Sequence, residues 1–283
     1  MISVKSYAKI NLSLKITGRR EDGYHDLEMI NLPIDLHDVI EIDMNPQYAC
    51  THVICDDLRL MSLRSNLVTR AVDRMRAEFG FKQNFVIHIH KEIPFAAGLG
   101  GGSSNAAVTM VALNKMLKLG ASKEKLAEIG KELGSDIPFF IDPHPCYVEG
   151  IGEKMTPINV KHDYFCLIVK PSKGLSTKDV YEACDNFPRE KIDTKKAIEG
   201  LANGDEALIA ENKGNDLAAA AISMAPEIQD ILDKMKSIGL QIYGMTGSGS
   251  SCYCLTTNQK MIREAERAFA KWDCDVLPCK VLR

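Results

Sequence analysis

The feature that most constrains this chain is the run Pro94-Phe-Ala-Ala-Gly-Leu-Gly-Gly-Gly-Ser-Ser104. A stretch with so few Cβ atoms takes up one shape only if firm structure holds it at both ends. Residues 85–91 alternate as a strand, and Ala106, Ala107, Met110, Val111, Leu113, Asn114 and Leu117 continue beyond the run with helical period. A glycine-rich passage from strand to helix lets several backbone N–H groups face one anion. Ser103, Ser104 and Asn105 are predicted to open the helix, whose positive end adds to the attraction. The pattern therefore predicts a triphosphate cradle. It is not a P-loop, which needs Gly-Lys-Ser/Thr where this chain has Ser-Asn. Nor is it a dinucleotide fingerprint, which needs glycine where Ser103 stands.

The opening segment places Val4, Ile10, Leu12, Leu14 and Ile16 on even positions, and Lys5, Lys9, Asn11, Ser13 and Lys15 on odd ones. That predicts a half-buried strand with Lys9 and Asn11 side by side on a polar face. Asp22-Gly23 signals a turn, followed by strands at 27–34 and 38–44. Residues 66–79 have helical spacing with Asn66 as N-cap, and Ser122 caps a helix through Leu133 before a break at 134–138. Beyond it, a strand is predicted at 164–169, a helix at 176–184, and helices over 194–238 interrupted at Gly204 and Pro226. Strands at 240–245 and 251–256, joined by Thr246-Gly-Ser-Gly-Ser250, precede a helix at 259–271 and a strand at 274–282. With the helical insertion set aside, the order is β-α-β-β-α-β, the split pattern of a ferredoxin-like domain. We therefore expect an α+β chain of two domains, 1–160 and 161–283.

Lys+Arg total 35 and Asp+Glu 38, a net charge of −3 in 283 residues. That balance predicts neither a nucleic-acid partner nor a polybasic membrane surface. Lys5, Lys9 and Lys15 interrupt the first apolar stretch, and no run approaches 18 apolar residues, so a cytoplasmic protein without a leader or a span is expected. Nine cysteines without a CxxC pair predict reduced, mostly buried thiols and no structural metal. Taken singly, the remaining polar candidates each have two readings. Lys9 is an edge lysine or a functional cation, Asp136 a helix cap or a base, and Tyr24-His25 a packed hairpin or a base-stacking pair. Thr246–Ser251 is a generous hairpin or a second anion loop.

Together these segments resemble a known family. Ile93-Pro94-x-Ala-Ala-Gly-Leu followed by Ser-Ser is similar to the second motif of the GHMP kinases, which include galactokinase, homoserine kinase and mevalonate kinase. Ala8-Lys9-Ile10-Asn11-Leu12 resembles a first motif, Gly134-Ser135-Asp136-Ile137-Pro138-Phe139 a catalytic aspartate motif, and Thr246-Gly247-Ser248-Gly249 the third GHMP motif. The glycine run is two residues longer than in most members. With Asp22-Gly23-Tyr24-His25, it resembles the branch whose substrate is a cytidine diphosphate sugar-alcohol in isoprenoid-precursor synthesis. The resemblance implies a ribosomal-protein-S5-like N-terminal domain, a ferredoxin-like C-terminal domain, and ATP-dependent phosphorylation of the substrate's 2-hydroxyl with Mg²⁺. It implies Asp136 as general base with Lys9 beside it, and Asn11, Tyr24, His25, Thr177 and Tyr181 on the substrate. ATP would meet Pro94, Phe95, Ala96, Ala97, Gly98, Leu99, Gly100, Gly101, Gly102, Ser103 and Ser104, with Asn66 and Lys91 near the adenosine and Gly247, Ser248 and Gly249 as the third glycine motif. Many members carry aspartate at the position of Asn105, and no Mg²⁺ ligand is assigned. A monomer or weak homodimer is expected. The alternatives are another GHMP small-molecule kinase, against which Tyr24-His25 and the extra glycines speak, and a non-catalytic sensor, against which Lys9 and Asp136 speak.

Overall fold

The computed structural model describes residues 1–21, 23–45, 47–57 and 66–283. Asp22, half of the expected turn, lies outside the described residues. Contacts divide the chain into two compact units that interleave along the sequence: 1–8, 37–93 and 100–143 form one, and 9–36, 94–99 and 144–283 the other. A single cut at residue 160 thus does not separate them. Residues 144–160 go with the second unit because their first strand pairs with residues 27–31.

In the first unit, β1 (Ile2–Arg19) and β2 (His25–Met44) contribute their outer ends. The two strands expected at 27–34 and 38–44 are one continuous strand. Within it, Asp38 is fully buried with its carboxylate bonded. β3 (His52–Cys55) precedes α1 (Leu67–Phe79), where Asn66 caps as expected by accepting from the Val68 N–H at 2.9 Å. β4 (Phe85–His90) lies parallel to β3 and antiparallel to residues 39–44 of β2. α2 (Gly101–Met116) follows, then α3 (Lys123–Lys131) with its Ser122 cap, and α4 (Ile137–Ile141). Val72 and Met75 of α1, Ile87 of β4, Met110 and Leu113 of α2 and Ile137 of α4 are buried in this unit. α2 buries residues on every side, which explains why its sequence is apolar nearly all round.

The second unit holds a hairpin absent from the sequence reading, β5 (Cys146–Gly150) and β6 (Lys154–Pro157), whose strands are too short to show a period. Next come β7 (Phe165–Pro171), α5 (Thr177–Cys184), α6 (Thr194–Asn203), α7 (Glu206–Asn212) and the two-residue β8 (Gly214–Asn215), parallel to Ser13–Leu14 of β1. α8 (Ala218–Met224), α9 (Glu227–Ser237), β9 (Ile242–Met245), β10 (Cys252–Thr256), α10 (Gln259–Phe269) and β11 (Cys274–Lys280) complete it. The four-stranded sheet has the order β11-β7-β10-β9, antiparallel throughout, which is the ferredoxin-like order expected from the sequence. All nine cysteines are free and seven are buried. Among the described residues, no helix is long and apolar enough to cross a membrane.

Candidate active site

The first unit carries Asn66, Lys91, Gly100–Ser104 and Asp136. Gly100 is left-handed (φ 73°) and serves as N-cap of α2 without a side-chain bond, so the helix begins at Gly101, earlier than the expected opening at Ser103. The first intrahelical bond is Ser104 N–H to Gly100 C=O at 2.9 Å. The N–H groups of Gly101, Gly102 and Ser103 are therefore the donors that a helix start leaves for an anion. Behind them, the fully buried Ser6 hydroxyl points to Ser104 Oγ at 2.8 Å and Asn105 Oδ1 at 2.6 Å, fixing the first turn from below. Lys91 pairs with the buried Asp38, whose other oxygen accepts from the Glu92 and Ile93 N–H groups at 2.9 and 2.8 Å. A Cβ on Gly101 would lie 3.3 Å from Lys91 Nζ, which sets that ammonium beside the helix start. Asp38, which holds Lys91, has no signal in the sequence.

Asp136 stands at the N-cap of α4, yet its side chain makes no capping bond, so the cap reading fails. Its turn abuts the same helix start: a Cβ on Gly134 would lie 4.0 Å from Ser103 Oγ.

The second unit carries the remaining candidates. Lys9 is 4% exposed and Asn11 1%, so the middle of β1's polar face is sealed from water, while Lys5 and Lys15 at its ends are not. Lys9 Nζ donates to Asn11 Oδ1 at 2.7 Å, and Asn11 Nδ2 donates to Asn31 Oδ1 at 2.6 Å. The Asn11 N–H donates to Thr246 Oγ1 at 2.9 Å, and the Lys9 N–H to the Leu99 carbonyl at 3.0 Å. The segment 94–99 is anchored by buried Ala97 and Leu99, leaves Phe95 exposed, and turns through positive φ at Ala96 and Gly98. Gly98 faces the third glycine motif so closely that a Cβ there would fall 2.3 Å from the Thr246 carbonyl oxygen. A Cβ on Gly247 would fall 2.7 Å from that of Gly98. Asn215 Nδ2 holds the motif from behind through the carbonyls of Met245 and Gly247, and Ser248 Oγ meets Thr177 Oγ1 at 2.8 Å.

Tyr24 exposes 63% of its surface while its neighbour His25 is buried. The His25 and Tyr181 rings sit 5.6 Å apart at 32°. His25, Cys184 and Asp185 are the one group of three potential metal ligands among the described residues. Asp185 already carries Arg19 and Arg189, however, and two guanidiniums oppose a cation there.

The family "GHMP kinases N terminal domain" matches residues 66–142, and "GHMP kinases C terminal" matches 197–273. A 4-diphosphocytidyl-2-C-methyl-D-erythritol kinase of Exiguobacterium sibiricum is 38% identical over 91% of this chain and 90% of its own. One from Clostridium perfringens is 36% identical over 95% and 92%. A crystal structure of 4-(cytidine 5'-diphospho)-2C-methyl-D-erythritol kinase superposes with a TM-score of 0.82 at 28% identity, covering 99% of both chains. Homoserine kinase from Cytophaga hutchinsonii, at 17% identity and TM-score 0.72, shares the fold. With that likeness running through both matched regions, the chain belongs to the GHMP kinases, and among them to the 4-diphosphocytidyl-2-C-methyl-D-erythritol kinases.

Proposed function

We propose that the protein transfers the γ-phosphoryl group of ATP to the 2-hydroxyl of 4-diphosphocytidyl-2-C-methyl-D-erythritol. The observation that carries this reading is the start of α2, whose first N–H groups have no intrahelical acceptor and which the Asp136 turn abuts. Asp136 takes the proton of the acceptor hydroxyl, and the Lys9 ammonium offsets the charge of the forming alkoxide. The N–H groups of Gly101, Gly102 and Ser103 hold phosphate oxygens, the backbone of 94–100 continues the cradle, and Asn66 and Lys91 lie toward the adenosine. Tyr24 stacks on the cytosine, His25 bonds its edge, and Asn11, Thr177 and Tyr181 line the acceptor. Phosphoryl transfer asks little covalent chemistry of the protein, so positioning and charge dominate.

The loop's oxygens fit Mg²⁺ through one side chain. Ser104 and Asn105 are buried and share the Ser6 hydroxyl, while Ser103 is partly exposed and would hold the ion's protein side. When bound, the ion neutralises phosphate charge.

The test is ADP release from ATP-Mg²⁺ with 4-diphosphocytidyl-2-C-methyl-D-erythritol, run beside homoserine, mevalonate and a blank. Turnover with the cytidyl acceptor alone is expected. Turnover with another acceptor would refute the substrate, and ATP binding without turnover on any acceptor would refute the enzyme. Tyr24→Ala should weaken the cytidyl substrate by about 1–3 kcal/mol of lost stacking and leave the KM for ATP in place.

A further inference from the structure

We propose that Asp185 is a positioning residue that sets the tautomer of His25 and so selects a cytosine over a uracil on the acceptor. The inference rests on the reading that His25 faces the pyrimidine. His25 opens β2 and is 8% exposed, and its Nε2 lies 3.2 and 3.3 Å from the two carboxylate oxygens of Asp185, the residue that ends α5. That carboxylate is held from two further sides, by Arg19 Nη1 at 3.3 Å and by Arg189 Nη2 at 2.7 Å, which fix its orientation. Also at this corner are the Cys184 thiol, which donates to the Tyr181 carbonyl and lies 4.0 Å from Asp185 Oδ1, and the Tyr181 ring. Burial works against ionising Asp185, but the His25 bond and the two arginines prevail and hold its carboxyl below the usual range.

An ionised carboxylate can only accept hydrogen bonds. Nε2 therefore carries its proton, and Nδ1 of a neutral His25 is left as a bare acceptor. No hydrogen bond to Nδ1 occurs among the described residues. A cytosine edge offers an exocyclic amino group, a donor that such a lone pair accepts from. A uracil offers a carbonyl at the same position, and two lone pairs then face each other. Sites built to bond a specific donor reject the analogue that lacks it far better than apolar pockets do.

The experiment uses the full chain, with kcat/KM measured on the cytidine substrate and on its uridine counterpart. Asp185→Ala should raise the KM for the cytidine substrate more than it lowers kcat, leave the KM for ATP in place, and cut the cytidine-to-uridine preference about tenfold, roughly 1.4 kcal/mol. Asp185→Glu should recover part of that preference. Adding Asp185→Ala to His25→Ala should cost little further, since both act through one bond. Long-range ¹H–¹⁵N spectra of the wild type at about pH 7.5 should show His25 protonated on Nε2 alone. Protonation on Nδ1 would overturn the proposal, as would an unchanged preference in Asp185→Ala where His25→Ala loses it. If His25→Ala leaves the cytidine substrate unaffected, the placement of the pyrimidine fails and the proposal with it. If Asp185→Ala does not fold, the wild-type spectrum decides.

Discussion

Gly100–Ser104 and Thr246–Ser251 are nearly interchangeable in composition, yet their glycines answer to different demands. Gly101 and Gly102 are already helical, and their use is to leave the first turn of α2 slim with its N–H groups pointing outward. Gly247 and Gly249 take φ of 58° and 82°, and Gly247 meets Gly98 backbone to backbone at distances no Cβ tolerates. On the proposed function the first run is shaped for a ligand, with Gly101 also clearing Ile93, and the second for another piece of chain. Composition alone cannot separate the two, because both need the absence of a side chain and differ only in what fills the space.

Substitutions can break or sharpen this contrast. The largest effect belongs to the ligand-facing side: Asp136→Asn should lower kcat by roughly 10²–10⁴-fold, the worth of a positioned base, with an unchanged urea midpoint. Near-wild-type turnover would remove Asp136 from the chemistry. Next, Gly98→Ala or Gly247→Ala should cost about 2–4 kcal/mol of folding stability, from a left-handed backbone and an overlap that only backbone movement relieves. An unshifted urea midpoint in both would show that the close approach is not tight. Gly101→Val should cost about 1–3 kcal/mol, because a Cβ there already comes within 3.0 Å of Ile93 Cγ2 and the extra methyls have no room. The smallest change is Gly102→Ala. Its Cβ would meet Leu67 at an ordinary 3.7 Å, so stability should rise by a few tenths of a kcal/mol while ATP binds about tenfold more weakly. Calorimetry reads both quantities, and a loss of stability there would erase the distinction between the two runs.

Much of this was legible in the sequence where local physics decides. Asn66 and Ser122 cap where their side chains said they would, and the ferredoxin-like order followed from periods of 2 and 3.6 alone. The adjacency of Lys9 and Asn11 followed from their i, i+2 spacing. Their burial did not, because Asn11 is covered in part by Thr246, 235 residues away. Asp38, Asn31 and Asp185 left no trace, since a polar residue in a strand or at a helix end reads the same whether it faces water or holds a neighbour. The hairpin of β5 and β6 was lost to its brevity, and β2 was read as two strands, 27–34 and 38–44, where it runs unbroken.

The buried row of Lys9, Asn11 and Asn31 also bears on how reliably the chain finds its sheet. β1 and β2 are long neighbouring strands with repeated alternation, so sliding one past the other by two residues keeps every apolar side chain on its own face. Hydrophobicity cannot penalise that slip. The Asn11–Asn31 bond can, because a shifted pairing would bury an amide, and the ammonium tied to it, opposite hydrocarbon. These polar groups would then act as the mark by which two otherwise repetitive strands count their residues, and replacing Asn31 with leucine should show itself in refolding yield before it shows in the folded state.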